Sequence, residues 1–174
     1  MKCDRAVLYQ FNPDWSGEFV AESVAEGWIR AIGTQLQDGW DDTCLQETKG
    51  GRYQNHQTLA VSDVDKADFT DCHLEVYHKL NVKAFCIAPV FQNDKLWGLV
   101  AVYQNEYPRE WKEGEIRLLT QTGIQLGISI AQVDLITQIQ NQSLQLQQAK
   151  ETAEAANQAK SALLLILVTN CELL

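Results

Sequence analysis

The chain has 174 residues, 45% of them apolar, and a formal net charge of −9. That length buries a core in one domain with an appendage, and the apolar content excludes a disordered chain. The acidic balance repels phosphate backbones and anionic lipid, which excludes nucleic acid and membrane surfaces as expected partners.

From the N-terminus, "RAVLYQF" (5–11) alternates in the manner of a strand, "NPDWSG" (12–17) is a turn cluster, and "EFVAESV" (18–24) alternates again, so the three pieces predict a hairpin. "EGWIRAIGTQL" (26–36) has room for a short helix. Residues 38–56 carry Gly39, Gly50 and Gly51 among polar groups and read as a long loop, the kind that in compact domains is usually functional. "QTLAVSD" (57–63) predicts a short strand. "CHLEVYHKL" (72–80) spaces Val76 and Leu80 four apart, with Leu74 and Tyr77 three apart, and predicts a helix. "KAFCIAPVF" (83–91) and "KLWGLVAVYQ" (95–104) predict two central strands around a turn. From Lys112 onward the pattern is helical.

Within that last helix, Leu135, Ile139, Gln142, Leu146, Ala149, Ala153, Ala156, Lys160 and Leu163 follow alternating steps of four and three. Such a seam, about four heptads long, predicts a coiled coil; a helix polar all round needs a partner at this length. The fold class expected is α+β: an antiparallel sheet of about five strands sandwiched by helices, with residues 1–134 as the domain and 135–174 as a helical linker. The longest apolar run, Ala162 to Val168, is far short of the ~20 residues of a membrane span. No apolar stretch follows a basic start, and the expected location is cytoplasmic.

The five cysteines, with no secretory signal, argue against a disulfide framework, and none are spaced C-x-x-C. His73 and His78 lie five apart and share no helix face, so no metal site is expected. Cys3, Cys86 and Cys171 read as small hydrophobes. Cys72 opens a helix beside His73, where backbone N–H groups favour a thiolate. Cys44 lies behind Asp41 and Asp42, which disfavour one. A Cys72–histidine protease or transferase fits poorly: successive helix residues point about 100° apart, so His73 is a poor base for its neighbour, and His78 is six residues on.

"DRAVLYQFNPDWSGEFVAESVAEGW", "WDDTCLQETKGGRY", "TDCHLEV", "VKAFCIAPVFQNDKLWGLVAVYQN" and "REW" occur in family-like order and spacing over roughly residues 4–135. Together they resemble the bilin-binding GAF domains of the cyanobacteriochromes, relatives of the phytochromes. The resemblance implies a GAF fold and a covalent linear tetrapyrrole. It implies a thioether from Cys72 to ring A and His73 packed near the pyrrole nitrogens. It also implies Asp42 as acceptor for the pyrrole N–H groups, Trp40 stacked near ring D, Arg52 and Tyr53 at a propionate, and Tyr103 near ring D. A carboxylate, acceptor-only, suits several N–H donors, and a guanidinium matches a carboxylate bidentately.

"W-D-D-T-x-L-Q-E-T-x-G-G-R-Y" resembles the red/green branch, which usually carries His or Tyr where this chain has Cys44. "D-T-C-L" also resembles the Asp-x-Cys-Phe motif of the dual-cysteine branches, with Leu45 in place of Phe. The second resemblance implies a reversible adduct of Cys44 and a red/blue switch. Phycocyanobilin is the bilin expected, since Leu59 and Phe69 do not look like biliverdin-adapted substitutions. The tail, "AKETAEAANQAKSALL", resembles the helix entering a sensor histidine kinase. No histidine follows His78, so no phosphoacceptor box and no enzyme activity are expected, with kinase output or a response regulator left to the full-length protein. The other readings are a GAF domain binding a small ligand such as a cyclic nucleotide, and a pure dimerisation fragment.

Overall fold

The computed structural model describes residues 1–33, 43–69 and 71–171, with backbone alone at 43, 44, 71–73, 76 and 165–171. Strands β1 (Arg5–Phe11) and β2 (Gly17–Val24) form the expected hairpin. After it come helix α1 (Thr43–Glu47), a 3-10 turn (Gly51–Asn55), strand β3 (Leu59–Val61), a second 3-10 turn (Val64–Lys66) and helix α2 (Asp71–Lys79). Strands β4 (Ala84–Gln92) and β5 (Lys95–Gln104) and helix α3 (Glu113–Cys171) complete the chain. The five strands make one antiparallel sheet in the order β2-β1-β5-β4-β3. The chain divides into two units, Met1–Ala131 and Gln132–Leu174.

One expectation needs correction. The stretch 38–56 is not a plain loop: its described part folds into α1 and the first 3-10 turn. The alternation pattern missed α1 because it is a single turn too short to show a period. The short helix expected within "EGWIRAIGTQL" falls partly on residues 34–36, which lie outside the described residues; up to Gly33 there is none.

The sheet is buried on both faces, and strand parity assigns each residue. Val7, Tyr9, Phe85, Ile87, Leu99, Ala101 and Tyr103 face one side with Phe19, Tyr77 and Leu80. Ala84, Cys86, Ala88, Val90, Val100 and Val102 face the other, where Leu119 and the half-buried Ile116, Leu126 and Ile130 of α3 cover them. Two bulges adjust the register. Val20 has no partner opposite β1, and Trp97 has none opposite β4. Each extra residue inverts the parity of the rest of its strand, which is how Leu96 and Leu99 come to share a face. The small residues on the α3 side let that helix lie close. A Cβ on Gly127 would fall 1.9 Å from the Phe91 carbonyl oxygen. The start of α3 is held by Glu115, whose carboxylate accepts from the Lys112 N–H at 3.1 Å, half of a capping box. The Arg109 guanidinium donates to both Glu115 oxygens at 2.5 and 2.6 Å and holds that carboxyl below its usual range.

One feature escaped the sequence reading. Arg5 and Glu22 form an ion pair across β1 and β2, with side chains 1% and 2% exposed. The Glu22 carboxylate also accepts from the Ala31 N–H (3.0 Å) and the Ile32 N–H (3.3 Å), and Arg5 donates to the Ile29 carbonyl. The pair therefore pins residues 29–32 to the sheet, just before the stretch that carries Trp40 and Asp42. Removing one partner of a buried pair strands the other charge, which costs about 3–5 kcal/mol. Glu22→Gln is expected to lower unfolding stability by about 3 kcal/mol in urea titration. Arg5→Met combined with Glu22→Gln is expected to recover most of that loss, since no charge is left unpaired. Equal stability of Glu22→Gln and wild type would show that the pair contributes nothing.

Candidate functional site

A cavity of about 430 Å³ opens on the face of the sheet away from α3. It lies within the ~300–1,000 Å³ range of small-molecule sites. Its floor is Val7 and Tyr9 of β1, Ile87 of β4, and Leu99, Ala101 and Tyr103 of β5. Leu59 of β3 lines the edge. Leu45 of α1, Arg52 and Tyr53 of the 3-10 turn, Asp68 and Phe69, and Tyr77 of α2 close the remaining sides. Tyr53 and Tyr103 are almost wholly buried.

Local backbone chemistry delivers these groups. Helix α1 ends in a Schellman motif: the Gly50 N–H donates to the Leu45 carbonyl at 2.7 Å and the Lys49 N–H to the Gln46 carbonyl at 3.2 Å. Lys49 adopts φ 51 and Gly50 φ 88, left-handed values that glycine takes without strain. The chain then enters the 3-10 turn directly, with Arg52 and Tyr53 at the cavity. On the far side Tyr77 stacks on Phe85, ring centroids 4.7 Å apart, and Phe69 packs 5.6 Å from Tyr77. Helix α2 is held at its other end by Asp65, whose carboxylate pairs with His78 Nε2 at 2.7 Å and accepts from Lys83 at 3.2 Å. These two hydrogen bonds hold the Asp65 carboxyl below its usual range.

Arg52, Tyr53 and Tyr103, three of the residues singled out from sequence, thus meet around one cavity. Trp40 and Asp42 lie outside the described residues. Cys44 is the second residue of α1 and Cys72 and His73 the second and third of α2; their backbones are helical and their side chains lie outside the description. Their helices border the cavity through Leu45 and Tyr77. Cys86 is excluded from it by parity, since it faces α3, and burial pushes its thiol up to about 11. Among the described residues no group of three or more His, Cys, Asp or Glu is placed to hold a metal. No helix among them is long and apolar enough to cross a membrane.

Sequence reasoning missed Tyr9, Tyr77 and Asp68. The parity of β1 held the signal for Tyr9, and the helical spacing of α2 held it for Tyr77. Asp68 follows a run of acids and had no distinguishing pattern.

The sequence profile of the GAF domain family matches residues 1–130. GAF3 of Slr1393 from Synechocystis sp. PCC6803, solved in its photoproduct state, is 50% identical, with a TM-score of 0.73 over 79% of this chain and 88% of that one. NpR6012g4, a red/green cyanobacteriochrome solved in its red light-absorbing state, is 45% identical, with a TM-score of 0.72 over 78% and 86%. JSC1_58120g3, solved in a far-red absorbing dark state with bound biliverdin IXa, is 36% identical, with a TM-score of 0.70 over 76% and 81%. The circadian input-output histidine kinase CikA of Thermosynechococcus vestitus is 27% identical over 92% of this chain, which spans 23% of that protein's length. The chain likewise spans 15% of sll0041 of Synechocystis sp., to which it is 31% identical.

Proposed function

The chain belongs to the GAF domains of the cyanobacteriochromes, and from that premise we propose that it is a light-sensing module carrying a linear tetrapyrrole, a bilin, attached through Cys72. The observation that carries this reading is the aromatic cavity of about 430 Å³, with Arg52 at its side and α2 along its border. The residues present fit such a group. Val7, Leu99 and Ala101 offer an apolar floor, the tyrosines offer flat surfaces with polar tips, and Arg52 offers a fork for a carboxylate. The likeness to a structure with bound biliverdin supports the ligand class. Phycocyanobilin is the bilin proposed here, Leu59 and Phe69 both lining the cavity.

When bound, the bilin supplies a conjugated system whose methine between rings C and D isomerises in light. The chain's own groups do the rest. The Cys72 S–H adds across a carbon–carbon double bond of the ring A side chain; an S–C bond forms, the hydrogen goes to carbon, and nothing is oxidised or released. His73 would pack near the pyrrole nitrogens and Asp42 would accept from them. Trp40 and Tyr103 would lie near ring D, and Arg52 with Tyr53 would hold a propionate. Cys44 would be a second thiol for reversible addition at the central methine, giving a red/blue switch. The module has no catalytic activity of its own. Residues 135–163 pair two copies as a parallel coiled coil and lead to a histidine-kinase-type output or a response regulator in the full-length protein. The apolar seam residues Leu135, Ile139, Leu146 and Leu163 are each more than half exposed.

Three outcomes test this reading. Co-expressed with a phycocyanobilin pathway, the wild type is expected to be coloured and to give a zinc-fluorescent band after denaturing electrophoresis; Cys72→Ala is expected to give none. A full-strength band in that variant moves the anchor elsewhere, and a colourless wild type favours a nucleotide-type ligand. The wild type is expected to absorb red in the dark and blue after red light, whereas Cys44→Ala keeps its covalent bilin but has a photoproduct at green or longer wavelengths. Retention of the blue state without Cys44 makes that thiol a bystander. Ile139→Glu is expected to halve the mass seen by light scattering; an unchanged mass overturns the coiled coil.

A further inference from the structure

Two charged side chains line the cavity among the described residues, Arg52 and Asp68. Both residues are exposed, so water reaches them at the mouth of the cavity, and neither makes a hydrogen bond or ion pair in the described structure. The acids just before Asp68 are occupied. Asp63 accepts from the Asp65 N–H at 3.1 Å and pairs with Lys66 at 2.8 Å. Asp65 holds His78 and Lys83. In the stretch Asp63-Val64-Asp65-Lys66-Ala67-Asp68, only the last acid lines the cavity, with its carboxylate free to meet a ligand that fills the space.

A cavity with an unpartnered cation and an unpartnered carboxylate suits a ligand bearing the complementary pair: an anionic group and an N–H donor of positive character. A purely anionic ligand such as a phosphate ester would gain from Arg52 and be repelled by Asp68. Asp68 lies four residues before Cys72, a span of at most ~14 Å of extended chain, so it belongs to the end of the site where Cys72 sits. We propose that Asp68 is a ligand-binding carboxylate, accepting an N–H of the bound tetrapyrrole in its anchored half and stabilising the protonated ring system. This rests on the bilin reading above, and it assigns Asp68 a role alongside that given to Asp42. The charge on Asp68 favours the cation; the charge on Arg52 opposes it. Asp42 and His73, the other titratable groups assigned to the ligand, lie outside the described side chains.

The test uses the full chain assembled with phycocyanobilin, titrating the protonation of the bound chromophore by its visible absorbance in the dark. Asp68→Asn keeps the side-chain size and one carbonyl oxygen but removes the charge. It is expected to lower the midpoint by about one pH unit, tenfold in the equilibrium, because the cation loses a counter-charge. Asp68→Glu is expected to restore most of the shift. Glu75→Gln, which removes an exposed charge from α2 without touching the cavity, is expected to leave the midpoint in place. If Asp68→Asn folds poorly, Asp68→Ser takes its place with the same expected shift. A coloured wild type whose midpoint is unmoved by either variant overturns the role of Asp68 alone. An equal shift in Glu75→Gln also overturns it, since the effect would then be one of overall charge. A wild type that takes up no bilin overturns the functional reading and this proposal together.

Discussion

One sheet has to be buried twice, and the two burials differ in side-chain size. Toward α3 the central strands present Ala84, Cys86, Ala88, Val90, Val100 and Val102. Small and β-branched groups make a shallow surface on which a helix can lie close, and Gly127 meets the Phe91 carbonyl with no room for a Cβ. Toward the other side the same strands present Tyr9, Phe85 and Tyr103, joined by Phe19, Tyr53 and Tyr77. Large rings supported only by short helices and 3-10 turns do not close to a solid core; they ring a space. The asymmetry makes one face a structural seam and leaves a cavity on the other.

The edge strand is in contact with both faces. β3 is three residues long, and its Leu59 lines the cavity. Around it, Thr58 Oγ1 lies 2.8 Å from Thr120 Oγ1 of α3, Trp111 Nε1 donates to the Val61 carbonyl at 3.1 Å, and the Arg109 N–H donates to the Ser62 carbonyl at 2.9 Å. A short edge strand has few ladder bonds of its own, so these ties to α3 and to the segment just before it fix its position. A ligand that displaces Leu59 would act on the same segment that carries those hydrogen bonds. At the opposite edge, the Arg5–Glu22 pair fixes the exit of β2 in a comparable way. Both edges are thus held by polar contacts of specific geometry, whereas the centre is held by apolar packing.

The parts of the fold legible in the sequence are those with a period or a long apolar run. β5 matches its expected span, Lys95–Gln104, and β1, β2, β4 and α2 agree within a residue or two: β1 and β2 alternate, α2 repeats at helical spacing, and β4 and β5 are apolar runs bounded by a turn. The single turn α1 and the 3-10 turns lack a period to detect; their signal was the Gly50-Gly51 pair, which marks a reversal without saying what precedes it. For the site, Arg52, Tyr53 and Tyr103 came from a motif resemblance and the structure gathers them. Tyr77 and Asp68 belong to no quoted motif role, and only the third dimension brings them to the cavity. The buried pair of Arg5 and Glu22 is illegible for a different reason: both lie on the inward face that Val7 and Tyr9 share, where a sequence pattern expects apolar residues, and only the fold brings them together with the backbone of residues 29–32.

Parity also sorts the thiols, and this bears on the chemistry more than any single contact. A strand residue cannot choose its face independently of its neighbours; with Phe85 and Ile87 committed to the cavity side, Cys86 must face α3. There the surrounding alkyl groups and the Glu115 charge push its thiol up to about 11, where it has almost no nucleophilic form at neutral pH. Cys3 packs half-buried against the same cluster, and burial and Asp4 push its thiol up as well. Cys44 and Cys72 are instead carried on the two short helices that border the cavity. Helix residues are free of the strand's alternation, and the first turn of a helix offers backbone N–H groups that favour a thiolate. The sheet therefore keeps Cys3 and Cys86 packed on the α3 side, while Cys44 and Cys72 belong to the helices that border the cavity.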